Sequence, residues 1–278
     1  TLPFMSAGLK EAFARQGKDV NKATHQEMRS LVCANCHVEY YFKGKVANYL
    51  TFPWDNGLRA DDMEKYYYRE GGHVDWTHAI SGAKMIKMQH PDYEIYSQGV
   101  HAFRGVACAD CHMPYKSEGG VKYTDHQVRS PLYNISNSCQ VCHRWSEKDV
   151  WNRVKGIQDK NWELLKVAQK DLTAAHLEIG RAMAMGAGDA DLAKPRDLVS
   201  RGQMYWDYVA ANNGMGFHAP QECARVLAKA DNYAGQSRLE TARVLARKGL
   251  TNPVPLPDIS TKEKAQAYIK PFVDRMPR

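Results

Sequence analysis

Cys33-Ala34-Asn35-Cys36-His37, Cys108-Ala109-Asp110-Cys111-His112 and Cys139-Gln140-Val141-Cys142-His143 are three copies of one pattern, Cys-x-x-Cys-His. Random placement of seven cysteines and 11 histidines in 278 residues gives about 0.007 such matches. The pattern is the attachment site of a c-type haem. Its two thiols bond to the macrocycle and the adjacent imidazole reaches the iron. Zinc knuckles would need paired Cys-x-x-Cys units, and would give the histidine after each second cysteine no role. Three covalent haems are therefore expected, on Cys33 and Cys36 with His37, on Cys108 and Cys111 with His112, and on Cys139 and Cys142 with His143.

The rest of the composition agrees. Hydrophobic residues make up 44% of the chain, yet mean hydropathy is −0.58 and only seven residues are Phe. Porphyrin faces can supply apolar surface that such a chain lacks. The formal charge of +7 falls to about +4 once each bis-ligated ferric haem brings its propionates. The basic residues are scattered, with no run of like charges, so no nucleic-acid partner is expected. Haem attachment takes place outside the cytoplasm, which puts the protein in the periplasm or an equivalent space. The chain opens Thr1-Leu2-Pro3-Phe4, without an initiator Met or a leader pattern, and is expected to be mature or cut. No apolar stretch reaches the length of a membrane span.

The organisation reads as mainly α. Residues 1–143 form a haem-bearing region of short helices and loops, entered through a helical lead-in that ends Gln26–Val32; Asp61–Glu70 is its best internal helix. Residues 144–278 form a region of long helices with an extended tail, and the two regions read as one integrated domain. Trp151, Val154, Trp162, Leu165, Ala168, Leu172, Ala175, Ile179 and Met183 recur at helical steps, predicting one helix over 146–185. Further helices are expected from Pro195 to Asn212, from Pro220 to Gly249 and from Ser260, with an extended stretch at 251–257. No strand-period segment stands out. The stripe on the long helix is narrow, so helix-on-helix dimerisation is expected.

An iron with a second imidazole carries electrons, and one with an open position catalyses. Eight histidines lie outside the motifs: His25, His73, His78, His90, His101, His126, His176 and His218. Spacing alone does not say which are ligands. Cys36-His37-Val38-Glu39-Tyr40-Tyr41-Phe42, followed by Lys87-Met88-Gln89-His90-Pro91 and by His101 ahead of Cys108, resembles pentahaem cytochrome c nitrite reductase, the ammonia-forming enzyme. The likeness covers nearly the whole chain. It implies a distal pocket lined by Tyr40 and His90, where nitrite and its reduction intermediates are hydrogen-bonded. It implies a calcium ion held by Glu39 and Gln89 and by the carbonyls of Tyr40 and Lys87, a hard-oxygen set that suits that ion. It also implies His101 as distal ligand of the Cys139/Cys142 haem, His218 as that of the Cys108/Cys111 haem, and His126 as ligand of a haem attached elsewhere. His25, His73, His78 and His176 match no family position, and Cys223 reads as a buried free thiol.

The family attaches its catalytic haem through Cys-x-x-Cys-Lys, which this sequence lacks. A second Cys-x-x-Cys-His, the pocket arginine and the distal histidine of the His37 haem are missing too; all lie upstream in the family. The chain is therefore expected to be a partial or split piece of a five-haem enzyme, completed by an N-terminal haem-bearing segment or chain. Its expected partners are nitrite, a quinol-linked cytochrome donor and a second copy in a homodimer; the protein is expected to be soluble or held peripherally at a membrane through a partner. The alternative is a non-catalytic multihaem electron-transfer cytochrome. Hydroxylamine-oxidising or octahaem enzymes would carry more haem motifs and would lack this Glu39–Tyr40 and Lys87–His90 pattern.

Overall fold

The computed structural model of the protein describes residues 5–44 and 49–275; the opening stretch Thr1–Phe4 lies outside the described residues. In chain order the helices are α1 (Ala7–Arg15), α2 (His25–Leu31), α3 (Ala60–Lys65), α4 (Asp92–Tyr96), α5 (Val100–Phe103), α6 (Cys108–His112), α7 (Ile135–Ser138), α8 (Glu147–Ala184), α9 (Asp189–Ala210), α10 (Pro220–Arg247) and α11 (Lys262–Val273). The strands are β1 (Tyr41–Lys43), β2 (Tyr49–Thr51), β3 (Trp76–Thr77), β4 (Lys84–Met85), β5 (Tyr115–Glu118) and β6 (Val121–Thr124). The fold is mainly α, with short helices and loops first and long helices after them. None of the described helices is long and apolar enough to cross a membrane.

The strands were not foreseen. They pair as three antiparallel ribbons, β1 with β2, β3 with β4 and β5 with β6. Each is too short for alternation to register. The last ribbon did leave a signal. Gly119 and Gly120 have φ of 54° and 80°, the two left-handed residues that a tight hairpin turn needs.

By packing, the described residues form two units. The first takes its residues from Thr1–Gly71, Met88–Glu163 and Tyr208–Ala224, and the second from Gly72–Lys87, Leu164–Asp207 and Arg225–Arg278. All three Cys-x-x-Cys-His motifs fall in the first. Its apolar interior includes Leu9, Leu31, Phe52, Trp54, Met63, Tyr67, Met88, Ile95 and Tyr208. In the second, Ala83 and Met85 pack with Leu172, Ala175, Ile179 and Ala182 of α8, Leu192 and Val199 of α9, and Ala234, Val244 and Leu245 of α10.

Helix α8 matches its expected span within a residue at each end. Its buried stripe is Val150, Val154, Leu165, Ala168, Leu172, Ala175, Ile179 and Ala182. From Leu165 on, the steps alternate three and four, as in a heptad seam. Trp151, Trp162 and Met183 fall beside that stripe and are exposed, against expectation. Helix α9 begins six residues before Pro195, because Ala190, Leu192 and Ala193 favour the helix and Leu192 is fully buried. Helix α3 starts at Ala60 and runs on as a wider turn over Tyr66–Gly71.

Candidate functional site

Each motif is one helical turn. In the first, the His37 amide donates to the Cys33 carbonyl at 2.9 Å, and in the third the His143 amide donates to the Cys139 carbonyl at 2.9 Å; the second is α6 itself. Residues three apart on a turn share a face, so both thiols of a motif can reach one edge of a macrocycle while the histidine addresses its centre.

Side chains lock the three turns into one cluster. Asp110, inside the second motif, accepts from Arg29 Nε at 3.1 Å, from Gln26 Nε2 at 2.6 Å and from the Ala107 amide at 2.7 Å. The Cys108 amide donates to Ser30 Oγ at 3.1 Å, tying α6 to the helix that leads into Cys33. Ser138, just before Cys139, donates from Oγ to the Cys111 carbonyl at 2.8 Å. Helix α2 itself opens on a capping box between Thr24 and Glu27.

The histidines pair across this cluster. The rings of His101 and His143 lie 6.2 Å apart between centroids, and those of His112 and His218 lie 6.3 Å apart. An imidazole nitrogen sits about 2 Å from a first-row metal ion, so two rings on opposite sides of one ion have centroids about 6 Å apart. Both pairs fit a shared iron. His112 Nδ1 donates to the Arg129 carbonyl at 3.0 Å, leaving Nε2 for a metal. His126 has the same arrangement, with Nδ1 donating to the Thr124 carbonyl at 2.7 Å, and its side chain is exposed. Burial lowers the basicity of His101 and His112, and pushes His218 down to about 4. Gly99 makes part of this packing possible. A Cβ there would lie 1.9 Å from the His218 carbonyl oxygen.

His37 is held differently. Its Nδ1 donates to Asp92 Oδ2 at 3.1 Å, which raises its basicity above the ordinary imidazole value. Burial disfavours a charge on Asp92, but donors from His37 and Asn213 outweigh it and keep the carboxyl below its usual range. The His37 ring is 6.0 Å from that of His90, which is in turn 5.5 Å from the ring of Tyr40. His90 Nδ1 and His218 Nδ1 are both buried without a hydrogen-bond partner.

Glu39 is fully buried. Its carboxylate accepts from the Gln89 amide at 2.6 Å and from the Tyr67 hydroxyl at 2.8 Å. Its own amide donates to Glu94 Oε1 at 2.8 Å, an oxygen shared with the Trp54 indole at 2.8 Å. Burial pushes the Glu94 carboxyl up to about 8. The segments carrying Glu39–Tyr40 and Gln89–His90 thus meet. A buried carboxylate next to the backbone of a glutamine supplies oxygen donors of the kind calcium takes. Among the described residues no group of three or more His, Cys, Asp or Glu side chains could hold a metal ion, and the calcium set, with its single carboxylate, would not form such a group. Lys87 lies in the second unit, where its amide donates to Asp75 at 2.7 Å and its Nζ pairs with Asp207 at 2.8 Å.

Asp92, Asn212, Asn213 and Glu94 escaped the sequence reading. The signal was Asp92-x-Glu94 directly after His90-Pro91, two acids in a short helix whose other residues are Tyr93, Ile95 and Tyr96. Of the four histidines matching no family position, His78 and His176 stack at 3.8 Å in the second unit, both bonded to Ser81 Oγ. Cys223 is a buried free thiol on α10, pushed up to about 12 by burial.

The family model of cytochrome c552 matches residues 2–277. A cytochrome c-552 of Bacteroides fragilis is 55% identical over 261 residues, covering 94% of this chain and 52% of its own length. One from Parabacteroides distasonis has the same identity and coverage, and one from Porphyromonas gingivalis is 52% identical over 261 residues, with the same shares of the two chains. Among solved structures, the catalytic subunit of the cytochrome c nitrite reductase from Desulfovibrio desulfuricans, which has two calcium sites, superposes with a TM-score of 0.81. It is 34% identical, and the match covers 98% of this chain and 61% of that one. The chain spans about half the length of the curated relatives it matches.

Proposed function

The chain belongs to the cytochrome c552 family, and we propose that it supplies electron-transfer haems and part of the active site for the six-electron reduction of nitrite to ammonium. The observation that carries this reading is the grouping of Tyr40 with His90, rings 5.5 Å apart, beside the buried Glu39 carboxylate and the Gln89 amide it accepts from.

The residues fit three haems, held by Cys33, Cys36 and His37, by Cys108, Cys111, His112 and His218, and by Cys139, Cys142, His143 and His101. Bound there, haem c supplies one-electron transfer, which a six-electron reduction needs in quick succession. With haem bound, His101 and His218 would close those sites to other ligands, leaving them to store and pass electrons. Tyr40 and His90 offer donors to the oxygens of a bound anion and hand on the protons those oxygens need to leave as water. Glu39 and Gln89 would hold calcium together with the Tyr40 carbonyl, clamping the pocket segments and adding positive charge near an anionic substrate. His126, exposed and with Nδ1 already engaged, would serve a haem attached outside these three motifs. An N-terminal haem-bearing segment or chain with a Cys-x-x-Cys-Lys site would complete the pocket.

The proposed setting is the periplasm, with a quinol-linked cytochrome as electron donor. A homodimer is proposed on the exposed Trp151 and Trp162, 11 residues apart on one face of α8. The test is turnover by the whole protein with a reduced viologen dye. Ammonium formed in proportion to nitrite consumed supports the reading, and release of nitric oxide or no consumption ends it. A second reading, a pure electron carrier, is favoured by one observation: His37 and His90 lie 6.0 Å apart, a spacing that would also make that iron six-coordinate. An entirely low-spin spectrum without nitrite turnover would select it.

A further inference from the structure

We propose that Asp92 sets the reduction potential of the haem at Cys33 and Cys36, making it the strongest electron donor of the three; this rests on His37 being its axial ligand. Asp92 Oδ2 accepts from His37 Nδ1 at 3.1 Å and from Asn213 Nδ2 at 2.6 Å. Its Oδ1 accepts from Asn212 Nδ2 at 2.6 Å and from the Asn213 amide at 2.9 Å. Each of these groups can only donate or is oriented to donate, so the carboxyl is held as an acceptor-only anion. Its side chain is 9% exposed, which keeps water from screening the charge.

Among the described residues, no carboxylate is seen on either of the other two motif histidines. His112 Nδ1 donates to a neutral backbone carbonyl, that of Arg129. The His143 ring lies against Trp145, centroids 5.3 Å apart. A hydrogen-bond acceptor on the far nitrogen raises the basicity of a ligating imidazole, and a full negative charge does so more than a carbonyl. A more basic ligand favours ferric over ferrous iron and lowers the potential. The site so tuned is the one whose histidine lies three residues before Tyr40. It would be the last of the three to fill with electrons and the first to give them up towards the pocket.

The test is a potentiometric titration of the full holoprotein, followed by EPR and hyperfine-shifted NMR signals that resolve the haems. Asp92→Asn keeps an oxygen for His37 but removes the charge. At fixed potential the reduced-to-oxidised ratio of one haem should rise at least tenfold, an upward shift of about 59 mV for one electron, while the others stay within twofold. Asn213→Ala removes a donor from Asp92 Oδ2 and leaves the charge, so the same haem should shift downward. A purely structural role would move both variants the same way. An unmoved potential in Asp92→Asn with the haem in place, or shifts of one sign, overturns the proposal. If Asp92→Asn does not mature, Asn213→Ala decides: a downward shift supports the proposal, and none or an upward one overturns it. Peptide masses showing no haem on Cys33 and Cys36 would instead overturn the haem assignment, and the inference with it.

Discussion

The rings of His101 and His143 face each other edge to plane at 87°, their centroids 6.2 Å apart, with His143 next to the second thiol of its motif. That spacing is the one the proposed six-coordinate iron between them would need. His101→Ala should convert the Cys139/Cys142 haem from low-spin to high-spin and leave its thioethers intact. EPR of the oxidised protein checks this through the loss of one low-spin signal. An unchanged spectrum would remove His101 from the ligand set.

Tyr40 neighbours His90 and stands next to the buried Glu39. In the complete enzyme, Tyr40→Phe should lower nitrite-to-ammonium turnover by about 10²-fold or more, the scale of a lost proton donor. All covalent haems should remain, as intact mass would show. Full turnover in this variant would exclude Tyr40 from the chemistry.

Glu39 accepts from Tyr67 and from the Gln89 amide. Glu39→Gln keeps one acceptor oxygen and turns an amide N–H₂ towards the other donor, at about 1–3 kcal/mol of stability. It also removes the one carboxylate of the proposed calcium set. Metal analysis should find calcium lost, and chelation of the unmodified protein should reduce nitrite turnover as the substitution does. Calcium bound as tightly as before would contradict this role.

Ile179 is fully buried in the core of the second unit. Ile179→Ala should destabilise that unit by about 2–5 kcal/mol. The haem spectra should not change, because no motif belongs to that unit. Denaturant unfolding followed by tryptophan fluorescence and by haem absorbance separates the two effects.

Burial pushes His78 down to about 4 from an ordinary 6.5, and pushes His176 down to about 3, with the neighbouring His78 adding to the shift. Below pH 6.5 the unfolded chain takes up protons that the folded pair refuses. Stability from this pair is therefore complete above 6.5 and falls with pH towards 4 and 3, by up to about 1.4 kcal/mol per unit for each ring. Hydrogen exchange of α8 amides near His176 should accelerate over that window. His176→Gln should flatten the dependence, and an equally steep profile would assign it to other groups.

Helix α8 was legible because a heptad stripe is written in consecutive turns. The exposed Trp151 and Trp162 were misread as part of it because a hydrophobic residue near the right phase looks the same in sequence whether or not a neighbour covers it. The ribbons were missed for the opposite reason. Two to four residues hold too little periodicity, and only the Gly119-Gly120 turn marked one of them.

By itself the sequence determined what is local. Two thiols three residues apart with a histidine beside the second form a haem attachment turn wherever the chain goes, since one helical turn puts them on one face. What lies far along the chain was decided by folding. Asp92 meets Asn212, 120 residues away, and His112 meets His218, because residues 208–224 pack back into the first unit. Such meetings depend on burial and on hydrogen bonds that close only when separate segments pack together. No spacing rule carries that information, so the sequence alone could name the imidazoles but not the carboxylate that governs one of them.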